Sequence, residues 1–94
     1  MMTARNVLVL VAGALLLSSA AAAESYPPAD LCELYERDLR HDLMLISDYH
    51  PQRNTASDAL EQGAALCLEG EAEAGVDVLK SGIASLGLPI RPYE

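Results

Sequence analysis

The N-terminal segment constrains the fold most, because its composition is typical of a segment removed before the protein folds. Residues 1–6 carry one charged side chain, Arg5, and residues 7–17 form an uncharged apolar run. Residues 18–23 are all Ser or Ala. These three parts in this order are typical of a secretory signal peptide. We therefore predict that residues 1–23 are a signal peptide, cleaved after Ala23, and that the protein is periplasmic or secreted.

A retained membrane anchor is the alternative interpretation of this segment. Residues 7–23 contain 17 residues without a charge, at the lower edge of the length that spans a bilayer. Against an anchor, the last six residues are only weakly apolar, and no cluster of Lys or Arg follows them. We predict no membrane insertion after cleavage. The single Arg and the Ala-rich end favour a bacterial leader and hence the periplasm.

Cleavage leaves residues 24–94, which we predict form a single small domain. This 71-residue chain has five Lys or Arg against 14 Asp or Glu, a formal net charge of −9. It contains no Phe and no Trp, so its core must come from aliphatic residues and Tyr. Chains this short usually need a cross-link or a similar device to be stable. The negative charge argues against nucleic acid as a partner, because nucleic-acid binding requires a basic surface.

Apolar residues recur at spacings of three and four in three segments, which is typical of α-helices. The predicted helices cover about residues 31–48, 56–69 and 71–86. The first apolar face consists of Cys32, Tyr35, Leu39, Leu43, Ile46 and Tyr49, and the third of Ala72, Val76, Leu79, Ile83 and Leu86. In the second, Leu60, Gly63, Ala64 and Cys67 lie on one face. The predicted fold class is all-α, a small three-helix domain of antiparallel hairpins.

The ends of the helices are predicted from capping patterns. Residues 24–29 are predicted to be an extended lead-in, with Asp30 and Thr55 as the N-caps of the first two helices. Gly70 and Gly87 follow the second and third helices, where glycine favours termination. We expect residues 89–94 to be extended and frayed.

The tyrosines are assigned by position. On the first helix, Tyr35 and Tyr49 could each lie in the core or on the rim of a groove, and we expect the core. Tyr26 and Tyr93, beside prolines at the two ends of the domain, are predicted to pack together.

The two cysteines, Cys32 and Cys67, are predicted to form a disulfide, since paired cysteines are usual in small exported domains. In an antiparallel hairpin they would lie side by side. The helix rise gives about 18 Å from Cys67 back to Thr55 but about 27 Å from Cys32 to His50. Either the first helix ends near Ile46 or Ser47, or the two helices are bent or cross obliquely.

Residues with catalytic or metal-binding chemistry are present, but without a specific pattern. Asp38, His41, Asp42, Asp48 and His50 form a histidine–carboxylate cluster in sequence, and Glu69, Glu71, Glu73 and Asp77 form an acidic one. Both clusters are interpreted as solvated polar faces, because no dedicated further ligands accompany them. No serine lies in a nucleophile elbow and no phosphate-binding loop occurs. We predict no catalytic residues, no cofactor, no metal site and no enzyme activity.

Small and large residues alternate in residues 59–86 as in a helical hairpin repeat. The matching positions are Gly63, Leu66, Gly75, Leu79 and Gly82. In these positions the segment resembles a single tetratricopeptide-type hairpin. The resemblance implies closely packed antiparallel helices, with Leu66 and Leu79 filling the space between them, and it favours protein binding. It implies no functional residues, since about three repeats are needed for the peptide-binding array.

Three functions are compatible with this sequence. The first is a periplasmic or secreted interaction module, without catalytic activity, that binds another envelope or secreted protein. The second is an inhibitor or a stress or chaperone-like protein that acts on a basic partner through the acidic surface. The third is a periplasmic metal-binding protein that uses His41, His50 and nearby carboxylates.

Overall fold

The structure is a computed structural model that describes residues 26–94. The predicted signal peptide and its cleavage after Ala23 lie outside the described residues. Three helices, α1 (Pro28–Leu45), α2 (Arg53–Leu68) and α3 (Ala72–Ser85), follow one another with short connections. Residues 26–94 contain no strand. The predicted all-α class with three helices is confirmed.

Helix α1 begins earlier than predicted, at Pro28. A proline suits the first helical position, because the N–H that it lacks would have no partner within the helix. The carbonyl of Pro27 accepts hydrogen bonds from the backbone N–H groups of Asp30 and Leu31, at 3.0 and 3.1 Å. The prediction that Asp30 is the N-cap, and that both prolines belong to the lead-in, is therefore wrong. Asp30 lies in the first turn, where its negative charge interacts favourably with the positive end of the helix dipole.

Helix α1 also ends earlier than predicted, at Leu45. This end removes the mismatch in helix length. From Cys32 to Leu45 the helix rises about 20 Å, and from Arg53 to Cys67 about 21 Å. The shorter first helix, and not a bent pair, brings the two cysteines together. Tyr49 consequently lies in the connecting loop with its side chain 94% exposed, so its predicted place in the core is wrong.

Helix α2 begins at Arg53, before the predicted cap Thr55, and no side chain caps it. The arginine is held at both its backbone and its side chain. Its N–H donates to the carbonyl of His50 at 3.1 Å, and its Nη1 donates to the carbonyl of Leu43 at 3.1 Å. Leu43 lies in the last turn of α1, whose carbonyls have no partners within that helix. This side-chain bond satisfies one of those carbonyls and joins the end of α1 to the start of α2.

The disulfide joins the start of α1 to the end of α2. Cys32 and Cys67 are bonded, with their Cα atoms 6.2 Å apart, which confirms the predicted cross-link. The Arg53–Leu43 contact joins the opposite ends of the same two helices, so α1 and α2 are antiparallel. The predicted terminations are also confirmed, since Gly70 and Gly87 have φ values of +84° and +74°.

Helices α2 and α3 approach closely where both lack side chains. A Cβ on Gly63 would lie 2.6 Å from Cγ of Leu79, and a Cβ on Gly75 would lie 2.6 Å from Sγ of Cys67. Leu79 is fully buried in this contact. The close packing implied by the tetratricopeptide resemblance is thus present. Leu66, in contrast, is only partly buried and does not fill the space between the helices.

The core is formed chiefly by α1 and α3, with one small residue from α2. Its members are Leu31, Cys32, Tyr35, Leu39, Ala56, Val76, Leu79, Ile83 and Leu86. In this described part of the chain, every buried side-chain nitrogen or oxygen has a hydrogen-bond partner. No helix within residues 26–94 has the length and apolar character needed to cross a membrane.

Candidate functional site

A groove of about 320 Å³ lies between the C-terminal half of α1 and the segment that follows α3. Its apolar lining consists of Leu45, Ile46, Ile83, Leu88 and Pro89. Its polar lining consists of Asp38, His41, Asp42 and Arg91. We call this feature the α1–tail groove. It combines an apolar surface with carboxylates, an imidazole and a guanidinium.

The apolar stripe of α1 continues past the core to the edge of this groove. Its next members after the core residues, Leu43 and Ile46, are partly buried against the core. The exposed large apolar residues lie beside the stripe: Met44 is 78% exposed and Leu45 is 68% exposed, and Tyr49 follows in the loop. Three large apolar side chains exposed within six residues make this end of the helix a candidate interaction surface.

The C-terminal tail, residues 88–94, forms the other wall of the groove. The prediction that residues 89–94 are frayed is wrong, because side-chain hydrogen bonds join them to the helices. The Tyr35 hydroxyl donates to the carbonyl of Arg91 at 3.0 Å, and Lys80 Nζ lies 2.6 Å from Glu94 Oε1. Both partners are more than ten residues away in sequence, so no local pattern indicates the contacts.

Three tyrosine rings hold the tail against the start of the domain. The Tyr93 ring meets that of Tyr26 edge to face, with centroids 6.2 Å apart, and that of Tyr35 at 5.1 Å. The predicted packing of Tyr26 against Tyr93 is confirmed, and so is the place of Tyr35 in the core. Edge-to-face pairs of this kind add to the free energy gained by burial.

Burial and fixed charges change the acid–base properties of the groups that hold the tail. The pKa of the Tyr35 hydroxyl is raised, first by burial and then by the nearby Glu94 carboxylate. The hydrogen bond from Lys80 lowers the pKa of Glu94, and the same bond raises the pKa of Lys80. Lys80 and Glu94 are therefore both charged at neutral pH.

Two carboxylates of the groove differ in their surroundings. Asp38 Oδ2 accepts a hydrogen bond from the Tyr93 hydroxyl at 2.8 Å and lies 3.9 Å from Arg91 Nε. Asp42, one turn further along α1, is partly buried, and its side chain forms none of the hydrogen bonds or ion pairs of the described chain. Its pKa is raised, first by burial and then by the Asp38 charge, although His41 and Arg91 oppose the shift.

The charges of the domain are mostly uncompensated. Residues 26–94 contain five basic and 13 acidic side chains. Four of the basic side chains already form ion pairs within the domain, with Glu36, Asp48, Glu94 and Asp38. Nine carboxylates therefore lie outside these pairs. The described surface has a strong negative field that would attract a basic partner.

The histidine–carboxylate cluster of the sequence is not brought together as a metal site. His41 lines the α1–tail groove, whereas His50 lies in the loop after α1, where its Nδ1 accepts a hydrogen bond from the Gln52 N–H at 3.0 Å. Residues 26–94 contain no group of three or more His, Cys, Asp or Glu arranged to hold a metal ion. The metal-binding hypothesis thus lacks a set of ligands in this part of the chain.

Sequence reasoning identified Asp38, His41 and Asp42 but assigned them to a solvated polar face. It missed the tail residues Leu88 and Arg91, which complete the groove. The only sequence signal for this second wall is the predicted contact between the tyrosines at the two ends, because that contact requires the tail to fold back.

Comparison with known proteins gives no relative from which a role could be inferred. No protein-family model, no curated protein and no solved structure matches the chain. The resemblance of residues 59–86 to a tetratricopeptide hairpin is therefore one of packing between two helices.

Proposed function

We propose that the protein is an exported interaction module, a small acidic helical domain without catalytic activity that binds another envelope or secreted protein. Export is inferred from the signal-peptide pattern of residues 1–23 and is compatible with the Cys32–Cys67 disulfide, a bond that persists in oxidising compartments.

The exposed apolar end of α1 is the observation that supports binding. Met44, Leu45 and Tyr49 place large apolar side chains in water within six residues of one another. Each gains free energy on burial, at about 25 cal/mol per Å² of apolar surface removed from water. Met is also flexible enough to fit partner surfaces of different shape. A partner that covers these three side chains would recover free energy that the isolated domain leaves unused.

Affinity capture tests this proposal with the mature protein, residues 24–94, as bait in a native envelope extract. We expect one reproducible partner, whose binding to the purified bait is then measured by calorimetry. In the variant Met44→Ser/Tyr49→Ser we expect at least tenfold weaker binding, about 1.4 kcal/mol. Both changes lie at exposed positions, so the fold should persist, as circular dichroism would show.

The matched control is Leu68→Ser, because Leu68 is 89% exposed but lies at the end of α2. This variant should retain the partner. Absence of a reproducible partner, or capture that survives the double substitution, would refute the proposed role.

The uncompensated acidic surface supports a second candidate function, an inhibitor or a stress or chaperone-like protein that acts on a basic partner. Within residues 26–94, nine carboxylates outside ion pairs favour long-range attraction, which salt screens. A holdase assay with chemically reduced lysozyme as a basic client would separate the two functions. Suppression of aggregation at low salt that disappears at about 0.5 M salt would support this candidate. No suppression at low salt would exclude it for that client.

A further inference from the structure

The α1–tail groove has an apolar lining beside a carboxylate, that of Asp42, which forms no ion pair within residues 26–94. Its volume of about 320 Å³ corresponds to about ten molecules of liquid water, so a large apolar side chain fits within it. Leu45 and Leu88 line it from opposite walls. A partner side chain placed between them would displace water from apolar surface, which is favourable.

Asp42 lies at this lining and has an unfavourable environment in the free domain. Part of its surface is removed from water, and Asp38 on the preceding turn carries the same charge. Arg91, the nearest guanidinium of the groove, is paired with Asp38 at 3.9 Å. A cation from outside would supply the partner that Asp42 lacks in the described part of the chain, and charge-assisted hydrogen bonds are stronger than those between neutral groups.

The net negative charge of residues 26–94 also restricts which kind of partner can occupy the groove. A second copy of this domain would bring another net charge of −8 from residues 26–94, so the two copies would repel each other. An acidic partner would meet the same repulsion. A basic segment would be attracted over the whole surface before it reached the groove.

We propose that the α1–tail groove binds a peptide segment of a partner protein in which a large apolar residue lies next to an Arg or Lys. The apolar side chain enters between Leu45 and Leu88, and the cationic group pairs with Asp42. This inference rests on the proposed interaction function, since it names the site and the chemistry of the partner.

A random twelve-residue peptide library displayed on phage, selected on the mature protein, tests the inference without knowledge of the partner. We expect the selected peptides to share a large apolar residue adjacent to Arg or Lys. Selection of acidic or uncharged sequences, or of no peptide at all, would overturn the proposal.

Variants then test the location of binding with the best selected peptide. Asp42→Asn should weaken binding about five- to tenfold, the range for a partly buried charge pair. Leu45→Ser should weaken it about tenfold, since it removes apolar contact at an exposed position. Asp58→Asn is the matched control, because it removes the same charge from an exposed position on α2 outside the groove, and it should change binding less than twofold.

The outcomes separate this inference from the proposed function. If peptides bind but Asp42→Asn and Asp58→Asn weaken them equally, the attraction is a property of the whole surface, and the groove assignment is wrong. If peptides require Met44 or Tyr49 but not Asp42, the interaction function stands and the groove is not its site. If the envelope extract yields no partner while the groove binds the selected peptides, the groove assignment stands and the proposed function fails.

Discussion

Breaking the Cys32–Cys67 bond should remove a large share of the stability of this domain. The cysteines are 35 residues apart in sequence, so the bond closes a loop of about 36 residues. In the chain-entropy model, closing this loop raises the free energy of unfolding by about 3.8 kcal/mol. A domain of this length has a free energy of unfolding of roughly 3–10 kcal/mol in total. The unfolding entropy is about 2.1 cal/mol/K per residue, so losing the contribution of the disulfide to the free energy of unfolding lowers the melting temperature by about 25 °C.

Thermal unfolding by circular dichroism, with and without reductant, measures this loss directly. Reduction leaves all side chains in place, so it isolates the cross-link. The double variant Cys32→Ala/Cys67→Ala should melt at or below the temperature of the reduced protein, because it also leaves a cavity. This variant is the control for the reductant, which should leave its melt unchanged. A decrease smaller than about 5 °C on reduction would refute the entropic reasoning.

Three further perturbations test the helix packing and the tail. Gly75→Ala places a Cβ 2.9 Å from a backbone carbonyl of α2. Although alanine favours helices more than glycine does, urea unfolding should show a decrease of about 1–3 kcal/mol in the free energy of unfolding. Tyr35→Phe removes the hydrogen bond to the tail and should lower the free energy of unfolding by about 1–2 kcal/mol. The control Tyr49→Phe, at an exposed position, should change it by less than about 0.5 kcal/mol. Because the pKa of Glu94 is lowered, its stabilising contribution is complete above the ordinary value of 4.5 and is lost as the pH falls through the lowered pKa. NMR of the tail should show this acid transition in the native protein and not in Glu94→Gln; an identical transition in both would exclude the Lys80 pair as its cause.

The periodicity of apolar residues was sufficient to predict three helices, because each helix buries one face against the others. Gly70 and Gly87 marked two helix ends, since their positive φ values are local requirements. The disulfide was predictable from the number and position of the cysteines. The requirement that Cys32 lie beside Cys67 left two alternatives, a shorter first helix or a bent or oblique pair, and the end of α1 at Leu45 shows the first of them.

The predicted caps, Asp30 and Thr55, did not mark the helix starts. Helix α1 begins with Pro28 at its first position, and α2 begins at Arg53 without a side-chain cap. The Arg53 side chain bonds to the end of α1, a contact that capping rules do not include because they consider only neighbouring residues. The α1–tail groove was missed because its second wall comes from residues far along the chain. The docked tail adds Leu88 to the surroundings of carboxylates that look solvated in the sequence.

The contact between Tyr26 and Tyr93 brings the two ends of the described chain to one place. Their ring centroids are 6.2 Å apart, although the residues are 67 positions apart in sequence. A linker of about six residues, which reaches about 20 Å when extended, would be long enough to join the ends. The domain should therefore tolerate circular permutation, with new termini in the exposed loop near Tyr49. In such a permutant the wall that the tail forms would become an internal loop.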